Sequence, residues 1–207
     1  MASLLKTRGY TTACIGKWHL GMDWVDGKPG SEKEVPIGAK MTGGPNALGF
    51  DYFCGFTHAR NIGTIIEQDR VIAHVEPDEN QPLMAKKAVE WLDQRKAGEP
   101  FFLYYPLGIP HEPIVPSAEF AGKSAAGDYG DFVEQIDASL GQLMDALKEN
   151  GLDIDISKLR AEDLDELVQH LRDLTVDVQG NGTVARHAAR SAPGRGDGDQ
   201  AVGVLGR

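Results

Sequence analysis

One short segment combines a lysine and a histidine at a spacing that suits anion binding. The run Gly16-Lys17-Trp18-His19-Leu20-Gly21 places the two basic side chains two positions apart. If the chain stays extended there, Lys17 and His19 project to the same side and Trp18 projects to the other. Fixed cationic donors that converge in this way suit a tetrahedral oxyanion such as sulfate or phosphate.

A second segment presents another histidine in a stiff loop. The stretch 106–116 contains four prolines, and His111 lies among them. Proline restricts the backbone, so such a loop holds a side chain in position at a low entropic cost. An imidazole held in this way can bind an anion or pass a proton near neutral pH.

Each feature also has an ordinary structural interpretation. A lysine close to a histidine is common, and a histidine in a proline-rich loop is usually a turn or capping residue. His58 and Arg60 could line a pocket, although the surrounding sequence favours a surface loop. No role is assigned to three further histidines: His74, His170 and His187. Only the joint placement of the two segments after consecutive strands favours an anion site.

The elements that must position these segments alternate between strands and helices. Apolar runs at 11–15 and 101–105 predict buried strands, each directly before one of the two segments. Apolar spacing predicts a helix that starts at Pro82 and stops at Gly98, and another over 132–151. This alternation is typical of an α/β domain with a mostly parallel sheet, in which ligands bind beyond the carboxyl ends of the strands. Residues 22–81 are loop-rich, with weak strand signals at 64–66 and 71–73.

Composition excludes several classes of protein. The chain has 207 residues, of which 41% are hydrophobic, and its net charge is -10. These values exclude a transmembrane or wholly disordered protein, and they argue against non-specific binding to nucleic acid or anionic membranes. The two cysteines, Cys14 and Cys54, form neither a disulfide framework nor a zinc-ligand pattern.

Composition also divides the chain. All aromatic residues lie between Tyr10 and Phe132, so the predicted core domain is 1–152. An appended amphipathic helix is predicted over 153–179, with its apolar face within 159–174. That face would cover exposed core or bind a partner helix. The favoured alternative is a chance tail that follows a truncated or rearranged reading frame. Residues 180–207 are rich in glycine and arginine and predict a disordered tail. The chain opens in mid-helix without a signal peptide, which suggests an internal fragment.

Several motifs in order resemble one enzyme family. The segment 4–21, with GKWHLG at its end, closely resembles the second signature region of the type I sulfatases, or arylsulfatases. The resemblance continues through GFDYFCGF at 49–56 and PFFLYY at 100–105, which leads to His111. It ends with the helix that contains IDASLG at 136–141.

The resemblance implies a fold and a chemistry. It implies part of an alkaline-phosphatase-like three-layer α/β sandwich and the hydrolysis of sulfate esters, either small molecules or sulfated glycans. Lys17 and His19 match the family residues that bind the sulfate group, and His111 matches the histidine that contacts the ester near the leaving group. The family uses a formylglycine nucleophile made in a C-x-P-S-R motif and a divalent cation, usually calcium. Its members are usually periplasmic or secreted.

The chain departs from the family pattern at the residues that turnover requires. Neither Cys14 nor Cys54 lies in a C-x-P-S-R motif, and the expected paired aspartates and Asp-Asn metal pair are absent. The prediction is therefore a sulfatase-derived chain that is inactive by itself. Two alternatives stay open: a fragment of a related phosphodiesterase or phosphonate hydrolase, and a non-catalytic protein that binds an anion or a partner.

Overall fold

The computed structural model describes residues 1–27, 30–152 and, for the backbone, 201–206. In chain order its helices and strands are α1 (Ala2–Thr7), β1 (Thr11–Lys17), β2 (Met22–Trp24), β3 (Met41–Gly43), α2 (Gly44–Ala47), β4 (Tyr52–Phe56), β5 (Thr64–Glu67), β6 (Arg70–His74), α3 (Pro77–Leu92), β7 (Phe101–Pro106), α4 (Gly127–Glu149) and β8 (Ala201–Gly206). Short 3-10 helices lie at Glu32–Glu34 and Ala59–Asn61. No helix in the described ranges is long and apolar enough to cross a membrane.

A six-stranded sheet in the order β6-β5-β4-β1-β7-β8 forms the centre of the described domain. Its three middle strands, β4, β1 and β7, are parallel, whereas β5, β6 and β8 pair in the antiparallel sense at the two sides. The prediction of a mostly parallel sheet holds for the middle of the sheet, which contains the strands that precede both candidate segments. A separate antiparallel pair joins β2 to β3.

The two faces of the sheet carry two apolar clusters, because successive strand residues point to opposite sides. On one face, Ala13 and Ile15 of β1 pack with helices α3 and α4, through residues such as Leu92 and Leu143. On the other face, Cys14 packs with α1 and with the segment that connects β1 to β4. The result is a layered α/β arrangement, as the sequence predicts.

Helix α3 begins earlier than predicted. Pro77, not Pro82, occupies the first helical position, where a missing backbone N–H costs least. Glu76 and Glu79 form a reciprocal capping box there, and the backbone N–H of Glu76 donates to Glu79 at 3.0 Å. Pro82 lies inside the helix. The helix also ends at Leu92, before the predicted stop at Gly98.

The carboxyl-terminal segments are described only in small part. The appended helix predicted over 153–179 lies outside the described residues, as does most of the predicted disordered tail. Within that tail, Ala201–Gly206 forms strand β8 and pairs with all six residues of β7. The structure therefore differs from the predicted disorder at 201–206.

Candidate functional site

Three neighbouring parallel strands end at the same edge of the sheet, and each is followed by a histidine. Strand β1 ends at Lys17, two residues before His19. Strand β4 ends at Phe56, two residues before His58. Strand β7 ends at Pro106 and leads into the loop that carries His111. Because the carboxyl ends of parallel strands meet at one edge, the topology alone brings the three imidazoles together.

Two glycines allow the three strand ends to approach closely. A Cβ on Gly16 would lie 2.0 Å from the carbonyl oxygen of Pro106, and Gly16 has a φ of +128°. A Cβ on Gly55 would lie 1.9 Å from the carbonyl oxygen of Gly16. Neither position therefore has room for a side chain, and the site edge depends on glycine at both.

A tight turn directly after β1 orients His19. The Trp18 side chain is 4% exposed, packs edge-on against Phe50, and donates from Nε1 to the carbonyl oxygen of Gly21 at 3.0 Å. The backbone N–H groups of Trp18 and His19 donate to Phe56 and Thr57, which extends the β1–β4 pairing past the strand ends. His19 has a φ of +56°, so the extended conformation assumed from the sequence stops before it. Left-handed backbone at a non-glycine residue is uncommon and is concentrated at functional sites.

The histidine rings form one cluster, which we call the histidine cluster (His19, His58 and His111). The His19 and His58 ring centroids lie 4.2 Å apart in an edge-to-face arrangement. The His58 and His111 centroids lie 6.5 Å apart, again nearly perpendicular. Lys17 is half-buried beside the cluster and close enough for its charge to act on His58. The structure thus brings Lys17, His19 and His111 to one place.

The surroundings of His58 favour its neutral form. Its Nδ1 accepts the backbone N–H of Arg60 at 3.1 Å, so the proton of the neutral ring lies on Nε2 and makes that atom a donor. Burial is the largest cause that lowers the pKa of His58, and neighbouring positive charges lower it further. In order of decreasing effect, those charges belong to His19, Arg60, His111 and Lys17.

His111 presents the opposite ring chemistry. Its Nδ1 lies 2.6 Å from the carbonyl oxygen of Glu112, and a carbonyl only accepts, so Nδ1 carries the proton. In the neutral ring Nε2 is then the nitrogen with the lone pair. A half-buried imidazole with one nitrogen fixed in this way is suited to proton transfer through the other.

Sequence reasoning missed His58, for which it favoured a surface loop. The structure corrects this interpretation, since His58 is half-buried and lies between the other two rings. The missing element was β4, which falls in the part of the chain read as loop-rich. The signal that could have identified both β4 and the role of His58 was the apolar run at 52–56, which directly precedes Thr57 and His58.

The described residues do not fit a formylglycine or a metal site. Cys14 and Cys54 are both buried in the sheet, and burial is the largest cause that raises the pKa of each thiol well above its ordinary range. A buried thiol of this kind is a structural residue. Among residues 1–27 and 30–152, no group of three or more His, Cys, Asp or Glu side chains is arranged to hold a metal ion. The calcium expected from the resemblance has no ligand set in this part of the chain.

Comparison with protein-family models decides the relationship. The model described as Sulfatase matches residues 1–157. The chain belongs to the sulfatase family. This confirms the resemblance found in the motifs, and the match includes the segments that carry Lys17, His19 and His111.

Curated relatives in this family are about three times as long as the region that they share with this chain. An N-acetylgalactosamine-6-O-sulfatase of Bacteroides thetaiotaomicron is 26% identical over 204 residues, which cover 71% of this chain and 39% of that sulfatase. Human arylsulfatase A is 29% identical over 180 residues, which cover 73% of this chain and 32% of the relative. The chain thus spans less than half the length of these sulfatases.

Solved structures confirm the predicted alkaline-phosphatase-like fold of the sulfatases. A Bacteroides thetaiotaomicron structure from work on the metabolism of multiple glycosaminoglycans matches with a TM-score of 0.60 at 24% identity, over 72% of this chain and 42% of that one. The PsFucS1 sulfatase from Pseudoalteromonas sp. matches with a TM-score of 0.56 at 22% identity, over 72% and 34% of the two chains. At such identities the likeness concerns the fold alone.

Proposed function

We propose that this sulfatase-family chain provides the sulfate-binding part of an active centre that hydrolyses sulfate esters. The observation that carries the proposal is the meeting of Lys17 and the histidine cluster at the ends of three parallel strands. A concentration of cationic and N–H donors on a protein of net charge -10 favours a small anion at that point. The match to the sulfatase family favours sulfate as that anion.

Each group has a distinct part in this proposal. Lys17 and His19 hold the sulfate oxygens and offset negative charge on them. His58 donates a hydrogen bond from Nε2 without adding a charge to an already cationic cluster. His111, with Nδ1 held by the Glu112 carbonyl oxygen, presents Nε2 to the ester oxygen that leaves with the alcohol and protonates it there.

The substrate class follows from the relatives as part of the same proposal. Two of the curated relatives are named N-acetylgalactosamine-6-O-sulfatase and arylsulfatase A. We therefore assign this chain to sulfate esters of sugars or small aromatic alcohols.

The chain by itself is proposed to bind without hydrolysing. Neither cysteine lies in the nucleophile motif, and both are buried among apolar residues. A cluster of donors supplies no attacking atom, so it stabilises a bound sulfate group without cleaving it. The residues of the described part support sulfate recognition and proton transfer only.

The first expected result is therefore binding without turnover. Titration calorimetry of the full 207-residue chain with sodium sulfate is expected to show one saturable site. Incubation with 4-nitrophenyl sulfate, with and without calcium, is expected to release no nitrophenol above the blank. Absence of sulfate binding would overturn the proposed function. Turnover that disappears in a Lys17→Met variant would overturn the inactivity and leave the sulfate site intact.

A further inference from the structure

Three buried amide side chains connect the helices on one face of the sheet to the segments that carry two of the clustered histidines. Asn80 and Gln81 lie in α3 and Gln135 lies in α4, and each is at most 2% exposed. Burying an amide costs stability unless its polar atoms are paired, so the partners of these side chains indicate what they do. We call the three residues the amide brace (Asn80, Gln81 and Gln135).

Gln81 joins helix α3 to strand β7 and helix α4. Its Nε2 donates to the hydroxyl oxygen of Tyr105 at 3.0 Å and to Oγ of Ser139 at 3.1 Å. Ser139 in turn donates from Oγ to the backbone carbonyl oxygen of Gln135 at 2.8 Å. Tyr105 is the last residue but one of β7 and lies six residues before His111. Gln81 therefore fixes the strand end from which the loop of His111 begins.

Gln135 holds the other end of that loop. Its Oε1 accepts the backbone N–H of Ser117 at 3.1 Å, and Ser117 lies six residues after His111. One turn earlier in α4, the carboxylate of Asp131 accepts the backbone N–H groups of residues 122–124 at distances of 2.6–3.1 Å. The loop is thus attached to α4 where it returns, and to α3 through the end of β7.

Asn80 holds the segment of a different histidine. Its Nδ2 donates to the carbonyl oxygen of Ile62 at 2.6 Å, in a buried hydrogen bond. His58 and Ile62 are the residues that flank one short 3-10 helix, so this bond fixes the segment that presents His58. Because Asn80 and Gln81 are adjacent in the chain, a single turn of α3 is attached to the segments of both His58 and His111.

These attachments explain the buried amides better than the stability of the core does. Asn80 Oδ1 and Gln81 Oε1 accept no hydrogen bond from any residue in the described ranges. A buried acceptor without a protein donor lowers stability, and apolar groups of the same shape in place of both partners of a buried hydrogen bond can be equally stable. What the amides add is direction, since a hydrogen bond restricts distance and angle more narrowly than an apolar contact does.

We propose that the amide brace fixes His58 and His111 relative to each other, so that both rings meet the same sulfate group. The three amides are positioning residues, and the histidines themselves contact the anion. This inference rests on the proposed function and adds the residues that keep the site assembled. A purely structural role would affect all three clustered rings alike, whereas the brace acts on His58 and His111 through separate amides.

The test follows the ring resonances of the clustered histidines by NMR in the full chain, with sodium sulfate as the probe. In a free sulfate ion one oxygen takes the place of the ester oxygen, so the probe also reaches His111. Gln135→Met keeps an unbranched side chain and removes the acceptor of the Ser117 N–H. It is expected to abolish most of the sulfate-induced change at His111 and to leave the change at His19 intact. Gln135→Glu keeps an oxygen acceptor and the same shape, so it is expected to restore the change at His111.

Asn80→Leu is expected to give the complementary result. It keeps the branched shape of the side chain and removes only the bond to Ile62, so it should reduce the sulfate-induced change at His58 and leave that at His111 intact. Calorimetry is expected to show sulfate affinity about threefold to tenfold weaker in Asn80→Leu and in Gln135→Met, which corresponds to the loss of part of one hydrogen bond to sulfate.

A matched control separates the possible failures. Gln142 is exposed on α4, and Gln142→Met makes the same substitution there as Gln135→Met does in the core, so it is expected to change neither the ring responses nor the affinity. If Gln135→Met and Asn80→Leu alter all three rings equally, or alter none of them, the amide brace is overturned while the sulfate site stands. If sulfate changes no clustered ring in the wild-type chain, the proposed function fails and the amide brace fails with it.

Discussion

Replacing Lys17 with methionine is expected to weaken sulfate binding by about tenfold to a hundredfold. A hydrogen bond to a charged group contributes about 1.5–3 kcal/mol, and that range corresponds to this loss in affinity. Methionine keeps the length of the aliphatic chain and removes only the charge. Lys17 is the last residue of β1 and is half-buried, so thermal denaturation of the variant is measured beside the titration to check that the fold is retained.

A matched lysine elsewhere controls for net charge. Lys148, exposed in the last turn of α4, gives the same change of one charge when it is replaced by methionine. Titration calorimetry is expected to show sulfate affinity in Lys148→Met within about twofold of the wild type. Equal losses in the two variants would indicate a general effect of charge and would contradict a specific role for Lys17.

Replacing Gly55 with alanine is expected to destabilise the domain by about 3 kcal/mol. The new Cβ would lie 1.9 Å from the carbonyl oxygen of Gly16, where the carboxyl ends of the paired strands β4 and β1 lie side by side. Backbone atoms on both sides would have to move, because the obstacle is not a flexible side chain. For a chain of this size the unfolding temperature should fall by about 6–12 °C, as thermal denaturation would measure.

Gly141 provides the opposite control within the same chain. It lies inside α4, and a Cβ there would meet no atom within 4 Å. Gly141→Ala is expected to stabilise the domain by roughly 0.5–1 kcal/mol, since glycine in a helix interior costs about that much relative to alanine. A Gly55→Ala variant as stable as the wild type would contradict the close approach of β4 and β1 at the site edge.

The sequence predicts the core of the fold where its patterns are unbroken. The apolar runs before Lys17 and before the His111 loop both form buried parallel strands, and the stepped apolar residues after Phe132 lie in α4. The two short apolar runs favour strands because of their length and their β-branched and aromatic residues, and the three- to four-residue spacing after Phe132 favours a helix. The sequence therefore predicts two of the three parallel strands. With them it predicts the positions of Lys17, His19 and His111.

The part that escaped prediction depends on tertiary context. Strand β4 contains a glycine, Gly55, whose lack of a side chain is required by the neighbouring strand and is invisible in a local pattern. Without β4, the sequence offered no reason to place His58 next to His19. The left-handed backbone of His19 likewise depends on the Trp18 side chain that closes the turn, a contact that no spacing rule predicts.

The most direct test of the sulfate site is an NMR titration of the assigned histidine rings against pH, with and without sulfate. Without sulfate, the pKa of His58 is expected to lie below the ordinary value of 6.5 because of burial and the surrounding positive charges. Sulfate offsets those charges, so it should raise the pKa of His58 and change the ring resonances of His19 and His111. By linkage, protons are then taken up on binding, and sulfate affinity should rise as the pH falls through the histidine range.

His74 serves as the internal control. It lies at the end of strand β6, where its ring contacts the carbonyl oxygen of Val35, and its ring resonances should not change when sulfate is added. If sulfate changes the ring resonances of the three clustered histidines no more than those of His74, the sulfate site is contradicted.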